Sequence, residues 1–277
     1  MLQQSSHSLA GPTSLLTRYD VDAPFGPYGR LFPALRPWDP GGASDAENLD
    51  RIWSLASALA PAGGGLSGDN CRIPAGYTYF GQLVGHDVSF DAGPTLRSQS
   101  QVSSRANYRT PRFDLDCLYG RGPIDQPFLY CLSSDAQASE NQRLLIGTNG
   151  AGEWDLPRNR DDALDNASTA PRLNRQRVAL IGDPRNDENL ILSQLHVQLL
   201  RFHNRWVSAC GRTFSDARRL TRWHYQWVVL YDFLPRLCGS DVVQSVLHDQ
   251  RRPGVVMSHS LRRVFIPIEF SAAAYRA

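Results

Sequence analysis

No stretch of this 277-residue chain stays apolar for the roughly 20 residues a helix needs to cross a bilayer. The opening "MLQQSSHSLAGPTSLLTRYD" lacks the basic start and continuous apolar core of a secretory signal. A cytoplasmic protein without a transmembrane segment is therefore expected, with export by a leaderless route as the alternative. An excess of one charge is also missing. Lys and Arg number 29 against 27 Asp and Glu, so no global field draws the chain to nucleic acid or to a membrane surface. Cys71, Cys117, Cys131, Cys210 and Cys238 are odd in number and scattered, with no CxxC pair, and reduced thiols are the expectation. There is no HExxH, no GxSxG nucleophile elbow, no internal repeat and no run of alternating strand patterns.

What is present reads as mainly α. With 42% apolar residues the chain is long enough to bury a sizeable core. Pro and Gly crowd residues 1–44, as in "DAPFGPYGRLFPALRPWDPGG", which predicts an extended arm lying on a helical body, 45–277. Ser44 is suited to cap a first helix carrying Leu49, Ile52, Trp53, Leu55, Ala56 and Leu59 until Pro61 and the following glycines stop it. A second helix follows Pro74, with Tyr79, Leu83 and His86 on one inward face. Residues 90–181 have only short apolar runs and are too long for an ordinary connector. Such a segment is functional, disordered or tied down by something else. The strongest helical pattern begins at about residue 186, with Asp187 and Glu188 in its first turn. A further helix, capped by Ser215 or Asp216, runs to Pro235 and Gly239 and should pack antiparallel to it. A short helix near 241–248 and a last one from about Pro267 complete the picture.

Two segments carry chemistry. "AGYTYFGQLVGHDVSFD", residues 75–91, sets Gln82, His86 and Asp87 in an apolar, aromatic surround. A histidine on an inward helical face is most often a hydrogen-bonded core residue. Its chemical uses are metal ligation, base work in a hydrolytic triad, or acid and base work on a small oxygen substrate. The missing motifs weaken the first two. "IGDPRNDENLILSQLHVQLLRFHNRW" places Arg185 at a loop-to-helix junction with Glu188 one turn on; a solvated helix start is the plain alternative. His196 and His203, two full turns apart, read as packing and hydrogen-bonding residues, too widely spaced for joint ligation.

"YFGQLVGHD" together with "GDPRNDENLILSQLHVQLLRFHN" resembles the animal-type haem peroxidase superfamily, which includes myeloperoxidase and the cyclooxygenases. The likeness extends from "RYDVDAPFGPYGRLFP" through "RWHYQWVVLYDFLP" to "FIPIEFSAAAYR". It implies a single haem-peroxidase-like helical domain over 1–277, with long irregular loops and few or no strands. By position, Gln82 and His86 look like the distal glutamine and histidine, and Arg185 like the distal arginine. The resemblance implies that neutral His86 takes a proton from hydrogen peroxide and returns it to the leaving oxygen, while Arg185 stabilises developing negative charge. The implied cofactors are haem b and Ca²⁺. Asp87 is similar to the family's calcium ligand beside the distal histidine. "TPRFDLDCLYG" resembles its calcium loop, with Thr110, the Arg112 carbonyl, Asp114 and Asp116 as ligands.

Two positions depart from the family pattern. Gly85 stands where many members carry an aspartate that forms an ester with haem, leaving Glu188 as the one candidate for such a bond. The proximal histidine follows a stretch resembling "AYRFGHS" in the family, whereas this chain ends at "AAYRA". Hence the expectation is the distal part of a peroxidase, with the proximal haem ligand missing and little turnover by the isolated chain; a subunit whose C-terminal half is supplied in trans is an alternative. The implied function is reduction of hydrogen peroxide with oxidation of small donors or halides, as in a response to oxidative stress. The alternatives are a fatty-acid dioxygenase of the same superfamily and a non-catalytic, calcium-stabilised helical interaction module.

Overall fold

A computed structural model of the chain describes residues 26–31, 34, 41–59, 73–91, 106–131, 142–159, 178–248, 265–271 and 275. The first 25 residues of the expected arm, the predicted stop at Pro61, Cys71 and His259 lie outside them. The molecule is mainly helical, with seven α-helices and four two-residue strands among the described residues. None of these helices is long and apolar enough to cross a membrane.

Helix α1, Asp45–Leu59, starts as its sequence predicts: Ser44 Oγ accepts from the Glu47 amide at 3.2 Å, which satisfies one of the first orphan donors. Its apolar stripe is not inward, however. Leu49, Ile52, Trp53 and Leu55 are exposed, Trp53 by 64%. Helix α2, Gly76–Val88, buries its second half, where Leu83, Val84 and Val88 enter the core. A short α3, Asp116–Tyr119, follows the "DLD" turn.

Beyond residue 181 the expected long helix is shifted. Pro184–Asp187 forms a tight 3-10 turn, and α4 runs Leu190–Ser208 with Asn189 as its cap, accepting from the Leu192 amide at 2.8 Å. Arg185 and Glu188 therefore stand before α4, not on it. An Asn cap outcompetes helix continuation because its side chain replaces a backbone acceptor. The buried stripe Leu192, His196, Leu200, His203 and Val207 has helical three- and four-residue spacing.

Helix α5, Phe214–Val228, is capped by Thr213 and not by Ser215 or Asp216. It continues through a π-helical segment, Val229–Phe233, into α6, Leu234–Cys238, ending at Gly239 with φ 87°. Pro235 offers no amide and its ring crowds the carbonyl four residues back, so the widened turn lets the helix pass the proline. Gly239 supplies the positive φ of a helix stop. Helix α7 spans Ser240–His248.

Helices α2, α4 and α5 enclose the core of Leu83, Leu118, Tyr119, Tyr130, Leu144, Leu192, Leu200, Tyr225 and Phe233. Strand β1, Gly26–Pro27, pairs antiparallel with β2, Ala106–Asn107, and β3, Gly147–Thr148, with β4, Trp154–Asp155. The described part of the arm also meets the last segment: the Ile268 amide donates to Gly29 O and the Leu31 amide to Glu269. The irregular middle is tied to α4 by side chains. Asn204 pairs with both backbone groups of Leu144 at 2.8 Å, while His203 bridges the Tyr119 hydroxyl (3.1 Å) and the Gln142 carbonyl (3.3 Å).

Candidate functional site

In α2, Gln82 and His86 are four residues apart and share a face, whereas Asp87 points about 100° away around the helix. The loop opposite them is organised by Asp183, which is fully buried. Its carboxylate accepts from the Arg185 amide at 3.0 Å and from Arg185 Nη2 at 2.6 Å, with Arg109 on its other side at 2.9 Å. Burial alone would raise its pKa, but Arg109 and Arg185 hold the carboxyl well below its usual range. Arg185 is thereby aimed at the end of α2. Its Nη2 also donates to the carbonyls of His86 (3.1 Å) and Ser89 (2.9 Å), and its guanidinium lies 4.6 Å from the Phe90 ring centre. The negative end of the helix dipole favours that placement.

His86 Nδ1 lies 2.8 Å from Asn186 Oδ1. Its Nε2 has no hydrogen-bond partner among the described residues. Burial, followed by the nearby Arg185 charge, lowers the imidazole pKa, so the neutral form prevails at pH 7. One turn back, Gln82 Nε2 donates to Glu188 at 2.9 Å, and Asn189 donates to Gln82 Oε1 at 3.2 Å. Glu188 is exposed, and Leu190 and Ile191 beside it present apolar surface. The site thus gathers a buried neutral base, a guanidinium fixed by Asp183 and, beside Gln82, an exposed carboxylate flanked by apolar side chains.

On the other side of α2, carboxylate oxygens of Asp87, Asp114 and Asp116 come within 4.8 Å of one another. Thr110 Oγ1 donates to Asp114 at 2.8 Å, and the Thr110 amide reaches Asp116 at 3.3 Å. Leu115, between the two loop aspartates, has φ 56°, the one positive φ outside glycine among the described residues. That strained turn sets both flanking carboxylates toward Asp87. Both oxygens of Asp87, and one each of Asp114 and Asp116, are buried without a completed hydrogen bond. The Leu115 amide and the Tyr225 hydroxyl approach Asp87 without completing one. Burial, then the like charges of Asp116 and Asp114, pushes Asp87 well up, and burial raises Asp116 to about 7 against the pull of Arg109. Buried, orphaned, mutually repelling carboxylates fit a hard divalent cation such as Ca²⁺. Arg112, expected to lend its carbonyl, has an exposed side chain on the same loop.

Residues 92–277 match the family model described as animal haem peroxidase. The chain belongs to the animal haem peroxidase family. The matched span opens after α2, so Gln82, His86 and Asp87 owe their placement to the geometry just described. Within this peroxidase-family fold Gly85 has a local reason: an added Cβ would stand 2.9 Å from the Tyr275 ring, whose hydroxyl donates to Gly81 O at 2.6 Å.

The sequence reading missed Arg109, Asp183 and Asn186. All three are buried polar groups, and the crowding of polar residues in "IGDPRNDEN" was the one signal for the last two. Arg109 lies 3.7 Å from Asp116 as well as 2.9 Å from Asp183, so it joins the carboxylate cluster to the Arg185 loop. Among the other histidines, His224 and His248 are exposed, and His203 is buried between α4 and α5.

Proposed function

We propose that this chain carries the peroxide-handling side of a haem peroxidase, in which His86, Gln82, Arg185 and Glu188 are the residues that would hold haem. What supports the reading most is His86: a buried imidazole held at Nδ1 and open at Nε2, beside a fixed guanidinium, in a chain of this family. Bound haem would supply the redox chemistry that passes electrons from a small donor to peroxide. Hydrogen peroxide takes up two electrons and two protons and becomes two waters. His86 Nε2 accepts a proton from the peroxide oxygen nearest to it and delivers it to the leaving oxygen. Arg185, fixed by Asp183, offers positive charge where the departing oxygen becomes negative. Gln82, held between Glu188 and Asn189, orients a water or halide at the mouth. Glu188, exposed beside Gln82, is the carboxylate that would meet the haem edge. Asp87, Asp114, Asp116 and Thr110, with the Arg112 carbonyl, are proposed to hold Ca²⁺, which ties the irregular loop to α2.

The test is haem titration of the chain followed by peroxide-dependent oxidation of a dye. Replacing His86 with Leu should lower turnover by about 10²–10⁴-fold, the usual contribution of a positioned acid and base. Turnover indifferent to His86 would overturn the assignment.

A further inference from the structure

Asn186 is fully buried between two buried histidines. Its Oδ1 lies 2.8 Å from His86 Nδ1 and its Nδ2 lies 2.9 Å from His196 Nδ1. A carboxamide accepts at one end and donates at the other, so the two imidazoles it joins must take opposite tautomers. The ring facing Oδ1 carries its hydrogen on Nδ1; the ring facing Nδ2 has Nδ1 bare and its hydrogen on Nε2.

We propose that Asn186 is a positioning residue that locks His86 as the Nδ1–H tautomer, leaving the Nε2 lone pair open to peroxide, with His196 holding the amide in that orientation. The inference rests on the reading of His86 as the peroxide base. Only a bare Nε2 can take the first proton, and which nitrogen carries hydrogen is decided by the partner of the other. Without an acceptor at Nδ1 an imidazole leans to the Nε2–H form, which presents a donor where a base is needed. The placement of Asn186 is itself determined by its neighbours. The Asp183 cap and Pro184 set the tight turn, and the Asn186 amide donates to Asp183 O at 3.1 Å. His196 is projected from α4 and is held neutral by burial, its pKa lowered to about 4, so it offers one acceptor and one donor and cannot donate at both nitrogens. Its Nε2 is buried and without a partner among the described residues. Nothing on that side therefore competes with the bond to Asn186.

The measurement is ¹⁵N NMR of the histidine-labelled chain without haem at pH 8, where each tautomer has distinct Nδ1 and Nε2 shifts. Expected are Nδ1–H for His86 and Nε2–H for His196. Asn186→Leu should move His86 to Nε2–H while the His203 signals stay in place. Asn186→Asp, which keeps an acceptor toward both rings, should leave His86 as Nδ1–H and turn His196 to Nδ1–H. If the Leu variant loses its dispersed His203 signals, the Asp variant is the deciding one, and an unturned His196 there overturns the proposal. So does Nε2–H on His86 in the unaltered chain, or Nδ1–H persisting in a folded Leu variant. With haem bound, Asn186→Leu should lower peroxide turnover by on the order of 10²-fold, as misplaced tautomers and lost outer partners do elsewhere, and Asn186→Asp should restore most of it. Tautomers as expected in a chain whose His86 signals are unmoved by added haem would support the lock and overturn the peroxidase reading.

Discussion

Asp183 is the residue on which the site's charge balance turns. A fully buried carboxylate is tolerated because two guanidiniums, Arg109 and Arg185, face it at 2.9 and 2.6 Å. Replacing it with Asn keeps the shape but leaves two cations without their counter-ion. Asp183→Asn should lower stability by about 3–5 kcal/mol, the range for removing one partner of a buried pair, as read from urea midpoints. A loss below about 1 kcal/mol, typical of exposed pairs, would show that solvent reaches the cluster. Gln82 and His86 stood out in the sequence as polar groups on an apolar, aromatic segment, and Arg185 and Glu188 through the family resemblance. Arg109 and Asp183 were not, because an arginine and an aspartate far apart in the chain look like ordinary surface residues until folding removes them from water.

Helix α4 behaves as an element partly because its two buried histidines stay uncharged. His196 and His203 are both lowered to about 4, by burial first. The unfolded chain, with histidines near pH 6.5, binds protons before the folded one does as pH falls. Their contribution is therefore complete above about pH 6.5 and is lost progressively down to pH 4. At about 1.4 kcal/mol for each tenfold change in proton affinity, the two together should remove several kcal/mol over that window. A double variant, His196→Gln with His203→Gln, should show a flatter fall in urea midpoint between pH 6.5 and 4 than the unaltered chain; parallel curves would refute the assignment. The element boundaries illustrate what periodicity can and cannot say. The stripe from Leu192 to Val207 was clear in the sequence, whereas the start at Asn189 depended on one side chain outcompeting the helix backbone. The helix ends at Gly239, one of the two stops the sequence offered, while a π-helical turn at Val229–Phe233 carries the chain past the other, Pro235, with Val229 and Phe233 buried in the core.

At the scale of the whole molecule, the carboxylate cluster joins α2 to the irregular middle and, through Arg109, to the Arg185 loop. If Ca²⁺ occupies it, the ion stabilises only the folded chain, by about 2.7 kcal/mol at a hundredfold excess over its dissociation constant. Chelation should then lower the melting temperature by roughly 5–10 °C, given about 2–4 °C per kcal/mol for chains near this size. Asp87→Asn should abolish the calcium dependence. A melting curve indifferent to chelator would remove the ion from the account.

The sequence by itself determined the helical class, the buried stripe of α4 and a short list of candidate site residues, because helical periodicity and motif order are local and survive without coordinates. Tertiary structure alone decided which groups Asp87 and His86, adjacent in the chain, each meet: Asp114 and Asp116 for the one, Asn186 for the other. It decided equally that Leu115 takes a left-handed turn to bring three carboxylates together, and that one buried amide joins His86 to His196. These are consequences of water exclusion: a polar group selects its partner only once folding has removed the solvent that would otherwise satisfy it.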